Sequence, residues 1–212
     1  MRAGALAEAL GALLPEGMAQ GCVAIDRDYP LFPTETLPEA APSRLREFAA
    51  GREAARIALG SVGAPSLAIP RLPSGAPLWP RGFCGAISHS GGFAMAVIAP
   101  VSLAAATGLD IVAPEDHPEP EIWPLFLRPE EILGTREMRG GRAVAALASK
   151  EAGAKAMAGA GGLVPELRGM RISLAPDLTG FTLEGVGGAE IRGRLCRAEG
   201  YQLAFCSTDM RG

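Results

Sequence analysis

"GFAMAVIA", residues 92–99, decides how this chain is read, because "GYQLAFCS", residues 200–207, repeats its pattern in the second half. Each opens on glycine and an aromatic, then sets Met95 or Leu203, followed by Ala96 or Ala204, at matching positions. A separation of half the chain is what an internal duplication leaves behind, although two unrelated buried strands can also share such a pattern. A duplication implies two similar lobes, an N-terminal lobe over 1–106 and a C-terminal lobe over 107–212, with a cleft between them. Clefts between lobes are common ligand sites.

Working outward, periodicity predicts helices near 3–14, 43–60, 129–134 and 142–158. Strands are predicted near 22–26, 66–70, 84–88, 93–99, 107–112, 170–174 and 189–207. Proline and glycine clusters at 28–42, 70–82, 113–129 and 159–168 read as loops. The fold class is therefore mixed α/β, of the α+β kind. In 212 residues there is ample apolar content for a core without a disulfide staple.

Composition excludes several function classes. Net charge is −3, so the chain lacks the basic face a general nucleic-acid binder needs, and any anion site must be local. Cys22, Cys84, Cys196 and Cys206 are widely spaced, with no CxxC pair, and read as free thiols of a reducing cytosol. The stretch 91–109 carries no charge for nineteen residues, but Pro100, three glycines, Ser102 and Thr107 argue for two buried strands rather than a membrane span. Glu8 interrupts the apolar N-terminal run, which reads as an amphipathic helix rather than a signal peptide. A cytoplasmic, monomeric protein is expected.

Three stretches put charge where apolar residues belong. In "SRLREFAAGREAARIAL", 43–59, with Ser43 as N-cap, Leu45, Phe48, Ala49, Ala55 and Leu59 form one stripe, and Arg52 and Arg56 fall on it. A buried guanidinium is costly unless paired, and its fork suits phosphate or carboxylate; the alternative is snorkelling or a structural acid. In "GRAVAALASKEAGAKAM", 141–157, Glu151 lies among Val144, Leu147, Ala148 and Ala154, with Lys155 one turn on and Lys150 pointing away. An ordinary i,i+4 surface pair is the alternative there. In "TGLDIV", 107–112, alternation puts Asp110 and Val112 on one side of a strand, so Asp110 needs a metal, a cation or backbone donors. Finally "GFCGAISHSGG", 82–92, sets His89, one of two histidines, between Ser88 and Ser90. A serine-hydrolase reading of it fails for want of a G-x-S-x-G elbow.

Taken in order, "FAAGREAARIAL", "GAPLWPRGFCGAISHS", "TGLDIV" and "ASKEAGAKA" resemble the 4′-phosphopantetheinyl transferases of the surfactin-synthetase and enterobactin-synthetase type. The resemblance runs from about Arg44 to Met157. It implies two similar lobes related by a pseudo-twofold, with coenzyme A in the cleft. It implies transfer of the 4′-phosphopantetheine arm to a serine of an acyl or peptidyl carrier protein, assisted by Mg²⁺. By the same resemblance Arg52, Ser88 and His89 would contact coenzyme A phosphates, with Arg56 added from the helix stripe. Asp110 and Glu151 would hold Mg²⁺, Glu151 would serve as base, and Lys155 would neutralise the pyrophosphate and orient the nucleophile. Two departures stand out: Val112 replaces a glutamate common in the family, and "ALASKEA" lacks the aromatic usually found before its lysine and glutamate. Val112 motivates an alternative, a coenzyme A or carrier-protein binder with impaired catalysis.

Overall fold

A computed structural model describes residues 2–65, 67–135, 141–161, 164–185, 188 and 190–209. In chain order the elements are α1 (Arg2–Leu13), β1 (Ala19–Ala24), α2 (Pro42–Ser61), β2 (Phe83–Ser90), β3 (Phe93–Pro100), β4 (Ala106–Val112), α3 (Trp123–Phe126) and α4 (Pro129–Thr135). Then follow α5 (Gly141–Gly159), β5 (Arg171–Leu174), β6 (Gly180–Glu184), β7 (Glu190–Ala198) and β8 (Tyr201–Thr208). The strands make two antiparallel sheets, ordered β1-β3-β2 and β4-β8-β7-β6-β5. The mixed α+β architecture matches the sequence expectation.

Three apolar clusters set the arrangement. α2 covers one face of the smaller sheet, with Ala50, Ala54, Ala58 and Leu59 against Ala94, Ala96 and Ile98. α5 covers one face of the larger sheet, with Val144, Ala148 and Ala152 against Leu183, Leu195 and Ala204. Between the sheets lies a third cluster, where Leu6 and Leu10 of α1 meet Met95 and Val97 on one side and Leu109, Ile111, Leu203 and Phe205 on the other. Alternation along β4 accounts for this: Leu109 and Ile111 enter the middle cluster, while Val112 enters the α5 cluster.

Both covering helices lie unusually close to a strand because a glycine lies beneath them. A Cβ on Gly21 of β1 would stand 2.1 Å from the Ala54 carbonyl oxygen of α2. A Cβ on Gly108 of β4 would stand 1.9 Å from the Ala152 carbonyl oxygen of α5. The two segments that echo each other in sequence, β3 and β8, each close a hairpin, after Gly91-Gly92 and after Glu199-Gly200 respectively.

Several expectations need correction. β1 begins at Ala19, earlier than predicted, because pairing with β3 runs from Ala19 opposite Ile98. No strand forms at 66–70 among the described residues: the Ile69 N–H goes to Glu35 and its carbonyl accepts from Arg52, leaving nothing for a ladder. β6 went unpredicted although Phe181 and Leu183 alternate with Thr182 and Glu184, and the run 189–207 divides at Glu199, whose φ is +53°. α2 starts at Pro42, with Ala41 at the cap and no side-chain cap bond, so Ser43 is not its N-cap. Proline's fixed φ starts the helix instead.

Gly108→Ala is expected to destabilise the fold by about 1–3 kcal/mol, the usual range for overpacking against backbone. Gly4→Ala, a helical position with nothing within 4 Å of the new Cβ, is expected to stabilise it by roughly 0.5–1 kcal/mol. Urea unfolding of the two variants checks the contrast.

Candidate active site

Among the described residues β2 pairs only with β3, and β4 only with β8, so each sheet ends in an edge without a further strand. The two edges come together, and side chains bridge them. Ser88 Oγ of β2 donates to Asp110 Oδ1 of β4 at 2.8 Å. Lys155 Nζ, reaching from α5, donates to Asp110 Oδ1 at 2.7 Å, to Ser88 Oγ at 3.1 Å and to the Leu109 carbonyl at 3.0 Å. Two residues further along, Ser90 Oγ accepts from the Ala113 N–H at 2.8 Å and donates to Asp116 Oδ2. Edge groups that a sheet would otherwise leave open, Leu109 O and Ala113 N, thus receive a lysine and a serine. Tyr201 Oη adds a bond to the Gly91 carbonyl at 2.6 Å, anchoring the turn to β8.

Asp110 is 7% exposed, whereas the Lys155 side chain is about a third exposed, so the ion pair is dry on one side and open on the other. Glu151, one turn before Lys155 on α5, makes no hydrogen bond or ion pair among the described residues. Burial pushes its carboxyl above the ordinary glutamate range; Lys155 opposes this and Asp110 adds to it. The alternative, an i,i+4 surface pair with Lys155, is therefore not formed, since Lys155 reaches across to Asp110. Two carboxylates whose charges oppose one another suit a divalent cation with hard-oxygen preference. Asp110 and Glu151 could hold one, leaving its other positions to water and phosphate oxygens. Among the described residues no third His, Cys, Asp or Glu joins them. Val112 is 5% exposed in the apolar cluster under α5.

On the α2 side, Arg44 Nη1 donates to His89 Nε2 and to Glu47 Oε2, the latter at 3.0 Å. Burial pushes the His89 imidazole below its usual range, against the pull of Glu47, so it accepts this bond as a neutral ring. Arg44 and His89 lie 45 residues apart, and the fold brings them together. Arg52 is 6% exposed; its Nε donates to the Ile69 carbonyl at 3.1 Å and its guanidinium lies 3.8 Å from the Phe48 ring centre. Burial lowers it to about 10, with Glu35 resisting. Its Nη2 is shielded from solvent and has no partner among the described residues, a deficit that buried donors rarely carry.

Arg56 takes the structural alternative. Its Nη1 meets both Glu35 oxygens at 3.1 and 3.2 Å, Nε meets Glu53 at 3.1 Å, and Nη2 meets the Pro30 carbonyl at 2.8 Å. All three nitrogens are occupied by the protein. Lys150 points away from Glu151 as read, yet it is fully buried, donating to the Phe126 carbonyl and to Glu131. An alanine helix apolar nearly all round can be buried on more than one side.

Comparisons with known proteins find relatives for part of the chain. Residues 32–99 match the family model for the 4′-phosphopantetheinyl transferase N-terminal domain. The chain is 45% identical over 84 residues to the 4′-phosphopantetheinyl transferase Svp of Streptomyces mobaraensis, covering 38% of this chain and 33% of that one. It is 31% identical over 121 residues to Npt of Nocardia iowensis, covering 56% and 54%. It is 36% identical over 81 residues to PptT of Mycobacterium tuberculosis, covering 35% and 36%. These matches span about half the length of the curated relatives or less.

Because the folded chain holds the Glu151 proton to higher pH than the unfolded chain does, its contribution to stability is complete below pH 4.5 and is lost as pH rises through the raised value. Glu151→Gln is therefore expected to melt at higher temperature than the wild type at pH 7, with the gap closing below pH 4.5. Thermal unfolding across that range checks the sign.

Proposed function

We propose that this chain, a member of the 4′-phosphopantetheinyl transferase superfamily, moves the 4′-phosphopantetheine arm of coenzyme A onto a serine of an acyl or peptidyl carrier protein with Mg²⁺ assistance. The observation that carries this reading is the bridge of Ser88, Asp110 and Lys155 between two strand edges, with unpaired Glu151 beside it. It sets one cation, Lys155, among hard oxygen ligands in a chain that is acidic overall.

In this reaction the carrier serine oxygen attacks the β-phosphorus of coenzyme A. The bond from that phosphorus to the bridging oxygen breaks, and 3′,5′-adenosine diphosphate leaves with the electron pair. Glu151 accepts the serine proton, a task its raised basicity favours. Lys155 donates hydrogen bonds to the pyrophosphate oxygens as charge builds on them, giving up part of its contact with Asp110. Mg²⁺, bound by Asp110 and Glu151, would supply further positive charge to the same oxygens. Arg52 holds the 3′-phosphate, which would give its buried, unpartnered Nη2 an acceptor, and Ser88 and His89 contact the coenzyme A phosphates. Arg56, saturated by Glu35 and Glu53, acts by bracing α2. Val112 leaves the metal two protein ligands, which weakens its binding without removing it.

The remaining parts of the reading are lobes over 1–106 and 107–212, a cytoplasmic setting and a monomer. No described helix is long and apolar enough to cross a membrane.

Incubating the chain with coenzyme A, Mg²⁺ and apo carrier proteins is expected to add the mass of one phosphopantetheine arm. Glu151→Gln is expected to lose nearly all transfer, with partial recovery at most in high Mg²⁺. Lys155→Met is expected to lower kcat about 100-fold, the scale of one lost transition-state donor. No mass gain on several carriers would contradict the proposal.

A further inference from the structure

Glu35 lies in the loop between β1 and α2, outside every motif singled out in the sequence, yet it is 2% exposed. A buried carboxylate is tolerated only when its lone pairs are filled, and this one is filled from three separate segments. Oε2 accepts from the Phe32 N–H at 2.9 Å, Oε1 from the Ile69 N–H at 2.8 Å, and both oxygens from Arg56 Nη1. The loop 32–35, the segment around Ile69 and the middle of α2 are thereby tied to one side chain.

Ile69 is the link that matters. It is fully buried; its N–H is held by Glu35, and its carbonyl accepts the Arg52 Nε hydrogen. Arg52 is thus fixed by two contacts, that carbonyl and the Phe48 ring, and its Nη2 is left without a partner. A planar guanidinium held in one orientation loses less entropy when it meets an anion. We propose that Glu35 is a positioning residue: by holding Ile69 it orients Arg52 for the 3′-phosphate of coenzyme A, and so sets the preference for coenzyme A over dephospho-coenzyme A. This rests on the reading of Arg52 as the 3′-phosphate holder. Glu35 touches no substrate itself. Its negative charge also favours the Arg52 cation against burial, so one carboxylate supplies both geometry and charge.

Calorimetric titration with coenzyme A and with dephospho-coenzyme A separates the possibilities. Wild type is expected to bind coenzyme A at least about tenfold tighter, the scale of one charged hydrogen bond. Glu35→Gln is expected to bring the two affinities within about twofold of each other, with dephospho-coenzyme A bound as well as by wild type. A role confined to stability would not produce that selective loss. Arg52→Met is expected to give the same ratio. Should Glu35→Gln fail to fold, the double variant Glu35→Gln with Arg56→Met removes both buried charges together and is expected to show the same collapse of preference. In unmodified protein without ligand, the Ile69 amide hydrogen is expected to exchange at least about 100-fold more slowly than a free amide. Equal wild-type affinities for the two ligands would overturn the Arg52 reading. A wild-type preference that survives in the Glu35 variants, or an unprotected Ile69 amide, would overturn the role of Glu35 alone.

Discussion

Two strand edges that lack backbone partners have been brought side by side, and side chains join them. β2 and β4 each end a sheet, and an open edge normally invites another chain. Here Lys155, Ser88, Asp110 and Ser90 fill the positions that a further strand would have filled. A side-chain seam differs from a ladder in one respect that matters for chemistry, because its bonds can be exchanged. Lys155 and Ser88 can exchange these contacts for other acceptors without breaking either sheet.

The seam is made accurate by the way the helices sit. Gly108 lets the α5 backbone rest on β4 at a distance no side chain would allow, and that closeness brings Lys155 within reach of Asp110. Gly21 does the same for α2 over β1, the helix that carries Arg44 and Arg52. Charge is costly to bury here. Beside the seam Glu151 makes no hydrogen bond or ion pair among the described residues and burial raises its proton affinity; on α2, away from the seam, Arg52 Nη2 has no partner among them. Such local deficits are what a site waiting for a charged ligand carries.

Much of this was legible from residue patterns. Period-two alternation separated Asp110 and Val112 from Leu109 and Ile111, and the helical wheel found Arg52, Arg56 and Glu151 on apolar faces. The same wheel could not say which arginine was free, since the answer lay with Glu35, an acid in a loop 17 residues before Arg52 in sequence. It also could not pair Arg44 with His89, which β2 brings to it from 45 residues away. Long-range partners decide such cases, and single-element periodicity is blind to them. Local competition explains the smaller misses: Pro42 outdid Ser43 as a helix starter, and Glu35 and Arg52 took the backbone groups that would have made 66–70 a strand.

A crystal structure with coenzyme A and Mg²⁺ bound tests the seam most directly. The account requires the pyrophosphate to lie between β2 and β4, with Lys155 and Ser88 turned to its oxygens and the ion touching Asp110 and Glu151. Coenzyme A seated elsewhere, with Lys155, Ser88 and Asp110 still bonded only to one another, would contradict it.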